Sequence, residues 1–420
     1  MEHRPAVGIV GGMLHTTSIL FTSHRFAGGL ESRRDPRRPQ RWLFCGLPAY
    51  GHLWPLLPLA AAARTAGHEV VFATGSTYVP VLEAQGFPAR AAGAGPLEVA
   101  REIFAGPVPR MADGGPNRAA QAELFLDALP RRNAPELLSV LSAWAPDLVI
   151  YEQTAVGAAL AAAVTGIPAV AHGIVAGDAV ETFDPDRSPT VPELLADFGL
   201  RSTEDLRPAR FLDPFPSRLR TGPGLPVAST AIRPVPWRDP HGATPRWLTD
   251  SPRPVVYLTL GTIFGTGATM RLVIDALAGS DVDVLLALGP IDPADLGPTP
   301  ENIHLEAFVD QGRILPLVDL VLHHGGSGTT LGAAAYGLPQ LILPVGADQQ
   351  ANGRAVSAAG VGGMITPDQL RSDRVGDAVA ALLADPHYAA AADQVRRQIA
   401  AMPSANLVVE GLTSSTPVAA

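Results

Sequence analysis

Short apolar runs alternate with helix-like stretches along most of the chain. The first run, at residues 42–46, is followed by a loop, by a stretch of helical periodicity at 56–66 and by a second apolar run at 70–73. Gly67 follows the helical stretch, and glycine commonly terminates a helix. Because strands that are apolar throughout are buried on both faces, this order predicts a parallel sheet covered by helices.

The same order of elements recurs in two separate stretches of the chain. Six prolines between 234 and 254 separate the stretches, and proline is excluded from the interior of regular elements. The further predicted strands and helices lie at 147–151, 156–165, 168–170, 255–260, 282–288, 303–305, 320–322, 341–343, 374–383 and 388–402. The pattern predicts an α/β protein with two doubly wound, Rossmann-like domains at 41–236 and 255–402, joined by a linker at 237–254.

Residues 1–40 differ from both domains. Gly, His and Thr residues interrupt the apolar stretch at 7–21, and the segment at 32–40 is charged and broken by prolines. A secretory signal requires an unbroken apolar stretch and a small-residue cleavage site. We therefore expect a disordered N-terminal extension, or an upstream start codon, rather than a targeting signal.

The composition excludes several classes of function. The 420 residues include one cysteine and no lysine, and the formal net charge is −9. A disulfide framework, a zinc site built on cysteine pairs, a P-loop lysine and a polybasic nucleic-acid arm are therefore ruled out. No apolar run reaches the roughly 18 residues that a membrane-spanning helix needs. We expect a cytoplasmic protein without a nucleic-acid partner or a membrane span.

A glycine-rich turn is the most informative segment. An apolar strand runs into the sequence HGGSGT at 324–329 and then into an alanine-rich helix. The free N–H groups and the dipole at a helix amino terminus form an anion site, which suits a diphosphate. The alternative is an ordinary tight turn between a strand and a helix. The spelling excludes a P-loop and the G-x-S-x-G turn of hydrolases.

Two other segments place polar side chains just beyond predicted strands. Asp348 and Gln349 follow the strand at 341–343, and a carboxylate beside an amide suits the hydroxyl groups of a sugar. His52 follows the first strand in a Gly-His-x-x-Pro segment, and an imidazole suits proton removal from a hydroxyl. The alternatives are a solvated loop for the first pair and a polar helix cap for His52.

The stretch at 308–352 resembles the donor-binding signature of inverting GT-B glycosyltransferases. The supporting residues are Phe308-Val309-Asp310-Gln311, Asp319, HGGSGT at 324–329, Gly337-Leu338-Pro339 and Asp348-Gln349. The chain is similar to the antibiotic transferases of macrolide and enediyne type, which are grouped with the UDP-glycosyltransferases. The resemblance implies that the domain at 41–236 binds the acceptor, that the domain at 255–402 binds the nucleotide sugar, and that residues 403–420 pack back on the first domain.

The resemblance implies roles for residues of the nucleotide-sugar site. Phe308 and Val309 would hold the base, and Asp348 and Gln349 would bind sugar hydroxyls. The implied phosphate-binding residues are Thr262, His324, Gly326, Ser327, Gly328 and Thr329. Relatives often carry Trp-x-Pro-Gln at 308–311, so phenylalanine here offers a smaller stacking surface. Bacterial members of the group mostly use dTDP-sugars, so a dTDP-sugar is expected as cosubstrate in preference to a UDP-sugar, with no other cofactor.

The resemblance also implies a catalytic pair. The Gly-His-x-x-Pro segment matches the catalytic base of the family, and Glu152 falls where relatives carry an acidic residue, often aspartate. Glu152 would orient the imidazole of His52 and stabilise the imidazolium. The alternative for Glu152 is a solvated strand end. No two histidines and a carboxylate show metal-ligand spacing, so we expect no catalytic metal.

The implied reaction transfers a sugar or deoxysugar, with inversion, to a hydroxyl of a hydrophobic natural-product aglycone. The candidate acceptor-binding residues are Trp54, Phe104, Met111 and His172, and the aromatic residues of the loops at 97–133 and 173–222 belong either to that pocket or to the core. A GT-B epimerase-like enzyme and a non-catalytic nucleotide-sugar-binding or auxiliary protein are the alternatives. The oligomeric state stays open, with a homodimer among the possibilities.

Overall fold

Parallel strands form two sheets, and helices pack on the faces of both. The computed structural model describes residues 38–109, 117–175, 183–220, 229–261, 266–346 and 348–414. The predicted α/β architecture of two doubly wound domains is confirmed. Residues 1–37 of the predicted extension lie outside the described residues.

The first sheet is built from strands of the N-terminal half. Its strands are β1 (Arg41–Cys45), β2 (Glu69–Thr74), β3 (Ala89–Ala91), β4 (Leu148–Glu152), β5 (Ala169–His172), β6 (Arg210–Asp213) and β7 (Ser229–Ala231). They lie in the order β3-β2-β1-β4-β5-β6-β7, and neighbouring strands pair in parallel.

Helices cover both faces of this sheet. They are α1 (Tyr50–Leu53), α2 (Leu57–Thr65), α3 (Val79–Ala84), α4 (Pro96–Phe104), α5 (Arg118–Glu123), α6 (Leu129–Trp144), α7 (Val156–Thr165) and α8 (Val191–Asp197). A single π-helical turn at Leu124–Ala128 joins α5 to α6. Gly166 ends α7 with a φ of +69°, a conformation that favours glycine.

The alternation of side chains along β1 divides the core of the first domain in two. Leu43 and Cys45 belong to one buried cluster, and Trp42 and Phe44 belong to the cluster on the other face. All four side chains are at most 2% exposed, which explains why the strand is apolar throughout.

The second sheet is built from strands of the C-terminal half. Its strands are β8 (Val255–Thr259), β9 (Asp283–Ala287), β10 (Ile303–Glu306), β11 (Leu320–His323), β12 (Gln340–Ile342) and β13 (Gly362–Met364), in the parallel order β10-β9-β8-β11-β12-β13. The helices after α8, in chain order, are α9 (Trp247–Asp250), α10 (Gly267–Leu277), α11 (Gln311–Ile314), α12 (Ser327–Tyr336), α13 (Gln349–Ala358), α14 (Ser372–Ala384), α15 (Pro386–Ala401) and α16 (Ala405–Ser414).

The last helix and the proline-rich segment both contact the first domain. Val408, Val409 and Leu412 of α16 lie in the same buried cluster as Trp42. In the proline-rich segment, Nε1 of Trp237 donates to Oε1 of Gln85 over 2.7 Å. The segment at 237–254 also contains α9, so it is partly ordered as a helix.

Candidate functional site

A cavity of about 360 Å³ lies between the carboxyl ends of the two sheets. The first domain lines it with residues that follow β1, β4 and β5, and the second with residues that follow β8 and β11. Doubly wound sheets bind ligands beyond the carboxyl ends of their strands. The predicted site residues that line the cavity are His52, Trp54, His172, Phe308, Val309, His324, Gly326, Ser327, Gly328, Thr329, Asp348 and Gln349.

His52 and Glu152 meet although 100 positions separate them in the sequence. Because β1 and β4 are neighbours, the loop after β1 and the end of β4 share one edge of the sheet. Nδ1 of His52 lies 3.0 Å from Oε1 of Glu152. With a carboxylate as acceptor, Nδ1 is the donor and Nε2 of the neutral ring keeps its lone pair. This is the tautomer that a general base requires.

Thr154 holds the carboxylate of Glu152, a role that was not predicted from the sequence. Its backbone N–H donates to Oε2 over 2.7 Å, and its hydroxyl lies 3.0 Å from Oε1 and 2.9 Å from Oε2. The same hydroxyl lies 3.2 Å from Nδ1 of His52. The Glu-x-Thr spacing could have indicated this residue, because short hydroxyl side chains often bond groups two positions away.

The pKa of His52 is raised above its ordinary value. Burial by itself favours the neutral imidazole and lowers the pKa, but the charge and hydrogen bond of Glu152, together with the charge of Asp348, outweigh it. Asp348 precedes α13 of the second domain, whereas Glu152 ends β4 of the first. Both walls of the cavity therefore act on the same imidazole.

The glycine-rich turn packs closely around the ring of His324. Gly325 has a φ of +92°, which favours glycine. A Cβ atom on Gly261 would lie 2.8 Å from the ring of His324, and one on Gly326 would lie 2.5 Å from its Nε2. Any larger residue at these two glycines would displace the imidazole from the turn.

His324 is neutral near pH 7, because burial lowers its pKa to about 4. The ring therefore offers a hydrogen bond rather than a full charge. Its Nδ1 is buried and has no hydrogen-bond partner among the described residues. His323 instead stabilises the turn, since its Nε2 lies 3.0 Å from Oε1 of Gln340 and its Nδ1 accepts from the N–H of Gly325 over 3.1 Å.

The first turn of α12 is the second element of the predicted anion site. The helix begins at Ser327 directly after Gly326, so the N–H groups of Ser327, Gly328 and Thr329 are in the first turn and have no carbonyl partner within the helix. The hydroxyl of Thr329 accepts from Nε2 of Gln311 over 3.1 Å, which leaves its own hydrogen for a ligand.

Asn352 joins the glycine-rich turn to the sugar-site candidates, and it too was missed in the sequence. Its Nδ2 lies 2.8 Å from the carbonyl of Gly325, 3.0 Å from Oγ of Ser327 and 3.0 Å from Oδ2 of Asp348. Ser327 also donates to Oδ2 of Asp348 over 2.6 Å. In Gln349, Oε1 accepts two backbone N–H groups of the preceding loop, so the amide nitrogen is the end that remains for a ligand.

Phe308 presents its ring to the cavity, and 52% of its surface is exposed. The neighbouring Val309 is buried in a core cluster of the second domain. Tyr50 of α1 contacts Phe308 across the cavity, with 5.3 Å between the ring centroids, and packs edge-on against Trp54 at 4.6 Å. The two domains thus contact each other through the rings of Tyr50 and Phe308, and Tyr50 lies two positions before His52 in the sequence.

The first-domain side of the cavity is mostly apolar. Phe125, in the π-helical turn, meets Phe183 edge to face at 5.3 Å, and Trp54 and His172 line the same cavity. The structure places Phe104 outside this lining. It ends α4 and packs against the buried cluster of Leu43 and Cys45, because α4 turns its apolar face to that core. Met111 and Thr262 lie outside the described residues.

The described residues contain neither a metal-binding cluster nor a membrane-spanning helix. No group of three or more His, Cys, Asp or Glu side chains there is placed to hold a metal ion. None of the helices described is long and apolar enough to cross a bilayer.

Sequence comparisons identify relatives over most of the chain. The N-terminal domain model of the erythromycin biosynthesis protein CIII-like family matches residues 61–261, and the C-terminal domain model matches residues 271–414. The L-demethylnoviosyl transferase of Streptomyces niveus is 31% identical over 392 residues, which cover 89% of this chain and 98% of the relative. The chain belongs to this family of antibiotic glycosyltransferases.

Two further comparisons agree with this assignment. The elloramycin glycosyltransferase ElmGT of Streptomyces olivaceus is 32% identical over 397 residues, 87% of this chain and 94% of the relative. The solved spinosyn rhamnosyltransferase SpnG, complexed with thymidine diphosphate, has a TM-score of 0.76 at 25% identity, covering 89% of this chain and 99% of that one. This glycosyltransferase is therefore a sugar-transferring enzyme of the GT-B fold.

Proposed function

We propose that this glycosyltransferase moves a sugar from a dTDP-sugar to a hydroxyl of an apolar natural-product aglycone, with inversion at the anomeric carbon. The observation that carries the proposal is the joint placement of the His52–Glu152 pair and the amino terminus of α12 on one cavity. The base lies on the first-domain wall and the proposed anion site lies on the second-domain wall. The acceptor oxygen therefore attacks a sugar between them from one side, and the diphosphate leaves from the other.

The choice of donor rests on the second-domain wall. The exposed ring of Phe308 offers a stacking surface for a base, and the first turn of α12 offers free N–H groups for a diphosphate. SpnG was solved with thymidine diphosphate, and the curated relatives are transferases of bacterial antibiotic sugars. These points favour dTDP over UDP as the nucleotide.

The reaction is a single displacement. Nε2 of His52 takes the proton of the acceptor hydroxyl as the hydroxyl oxygen forms a bond to the anomeric carbon. The bond between that carbon and the diphosphate oxygen breaks at the same time, and dTDP leaves with the electron pair. The carboxylate of Glu152 stabilises the imidazolium that forms, and Thr154 keeps that carboxylate in place.

The leaving diphosphate is stabilised without a metal ion in this proposal. The dipole and free N–H groups of α12 face the developing charge, and His324 adds a hydrogen bond. The position of the His324 ring supports this role, because the ring packs directly against Gly326 at the start of α12.

A thermal-shift comparison of dTDP, UDP, ADP and GDP tests the proposed donor class. A ligand at 100 times its Kd stabilises the folded state by about 2.7 kcal/mol, so true binding raises the Tm. We expect the largest shift with dTDP and a smaller one with UDP. The absence of a shift with every nucleotide, or a larger shift with a purine nucleotide, would overturn the proposed donor.

A further inference from the structure

His172 is a buried polar side chain on an otherwise largely apolar part of the cavity wall. It ends β5, is 4% exposed and lines the cavity beside Ile174 and Val175. Phe125 and Phe183 line the same side. A polar group in such surroundings needs a hydrogen-bond partner, since an unpaired one loses its hydration without compensation.

One nitrogen of this ring is already paired. Nδ1 lies 2.9 Å from the carbonyl oxygen of Gly173. A carbonyl only accepts, so Nδ1 carries the hydrogen and Nε2 of the neutral ring has only a lone pair to offer. Burial lowers the pKa of His172 to about 4, which keeps the ring neutral near pH 7. Nε2 has no hydrogen-bond partner among the described residues. It is not fully buried, so a ligand in the cavity can reach it.

His172 also lies close to the proposed catalytic pair. Its Cα is paired with that of Glu152 in the register of β4 and β5. Neighbouring strands are about 4.8 Å apart. Because Glu152 contacts His52, Nε2 of His172 and the imidazole of His52 lie at the same end of the cavity.

We propose that Nε2 of His172 accepts a hydrogen bond from a second hydroxyl of the acceptor, next to the hydroxyl that is glycosylated. This inference rests on the proposed function and narrows its substrate class. The enzyme selects apolar aglycones that carry two neighbouring hydroxyl groups, such as the ortho-diol of a fused aromatic ring. An acceptor whose second oxygen is methylated has no hydrogen to donate and leaves Nε2 unpaired in an apolar pocket.

A matched pair of probes tests this selection. Naphthalene-2,3-diol and 3-methoxy-2-naphthol share one free hydroxyl and differ in the hydrogen of the other. Their Kd values are measured by fluorescence titration with the dTDP-saturated wild type, with His172→Phe and with His172→Gln. Phenylalanine keeps an aromatic ring without an acceptor, and glutamine places an amide oxygen near the position of Nε2.

We expect the wild type to prefer the diol by about tenfold, the value of one ordinary hydrogen bond. His172→Phe should lose the preference and keep its affinity for dTDP, and His172→Gln should retain part of the preference. A wild type without a preference, or a His172→Phe variant that keeps it, would overturn the inference. If His172→Phe fails to fold, His172→Leu takes its place, because leucine also lacks an acceptor; loss of the preference in His172→Leu supports the inference, and an unchanged preference overturns it.

These results are separable from those that bear on the proposed function. A wild type that does not bind dTDP would overturn the proposed donor. A wild type that binds dTDP but treats the two probes alike would overturn only the role of His172.

Discussion

Replacing His52 with alanine should lower the turnover of sugar transfer by about 10²–10⁴-fold, the usual contribution of a general base. The acceptor hydroxyl would then have to lose its proton to water. Nucleotide affinity should stay nearly unchanged, because the anion site is built on α12 and His324 of the second domain. Initial rates at saturating donor, together with the calorimetric Kd for dTDP, separate the two effects.

His241→Ala provides a matched control for this experiment. His241 is exposed and outside the cavity lining, and the bond it gives to Asp239 comes from its backbone N–H, which alanine retains. Turnover in His241→Ala should equal that of the wild type. A His52→Ala enzyme with undiminished turnover would reject His52 as the base.

The pH dependence gives the same role a second signature. His52 must be neutral to accept a proton. Burial by itself lowers the pKa of His52, but the neighbouring carboxylate of Glu152 raises it above the ordinary value. The specificity constant kcat/KM should therefore rise with pH as His52 loses its proton, with a pKa above the ordinary value of about 6.5. Glu152→Gln removes the negative charge, so the acid limb should move to lower pH while the maximal rate falls.

Replacing His324 with alanine should weaken dTDP binding by about 10–100-fold, the range for a hydrogen bond to a charged group. The neutral ring lies between Gly261 and Gly326 at the start of α12, where it can donate to a phosphate oxygen. His324→Asn, which keeps an N–H donor, should lose less affinity. Titration calorimetry with dTDP measures the three Kd values.

The His324 prediction separates nucleotide binding from proton transfer. His241→Ala again serves as the control and should bind dTDP like the wild type. Equal dTDP affinity in the wild type and in His324→Ala would reject the phosphate role. Diphosphate binding would then be assigned to the backbone N–H groups of α12 alone.

The fold was predictable where local signals and tertiary structure agree. The helix predicted at 156–165 has the same bounds in the structure, because Gly166 terminates it in a left-handed conformation. The strands β3, β6, β7 and β13 were missed. They are three or four residues long and none shows an uninterrupted apolar run: β3 reads Ala-Arg-Ala, β6 reads Arg-Phe-Leu-Asp, β7 reads Ser-Thr-Ala and β13 contains two glycines. Their pairing with neighbouring strands decides their conformation, and a sequence pattern does not contain that information.

The candidate site was predictable from the sequence where local motifs form it. The glycine-rich turn and the Gly-His-x-x-Pro segment are local motifs, and the structure places both on one cavity. Thr154 and Asn352 act through contacts with residues 102 and 27 positions away, respectively. These two contacts depend on which elements become neighbours in the fold, so the sequence did not indicate them; only the contact of Thr154 with Glu152, two positions away, had a local signal in the Glu-x-Thr spacing.

The stereochemistry of transfer distinguishes a single displacement from a reaction that retains the anomeric configuration. Proton NMR of the glycoside formed from dTDP-α-D-glucose and naphthalene-2,3-diol reads the anomeric configuration from the coupling between H1 and H2. A base on one wall of the cavity and a leaving-group site on the other require a single displacement, so we expect a β-glucoside with the large axial–axial coupling. An α-glucoside with the small coupling would contradict the account.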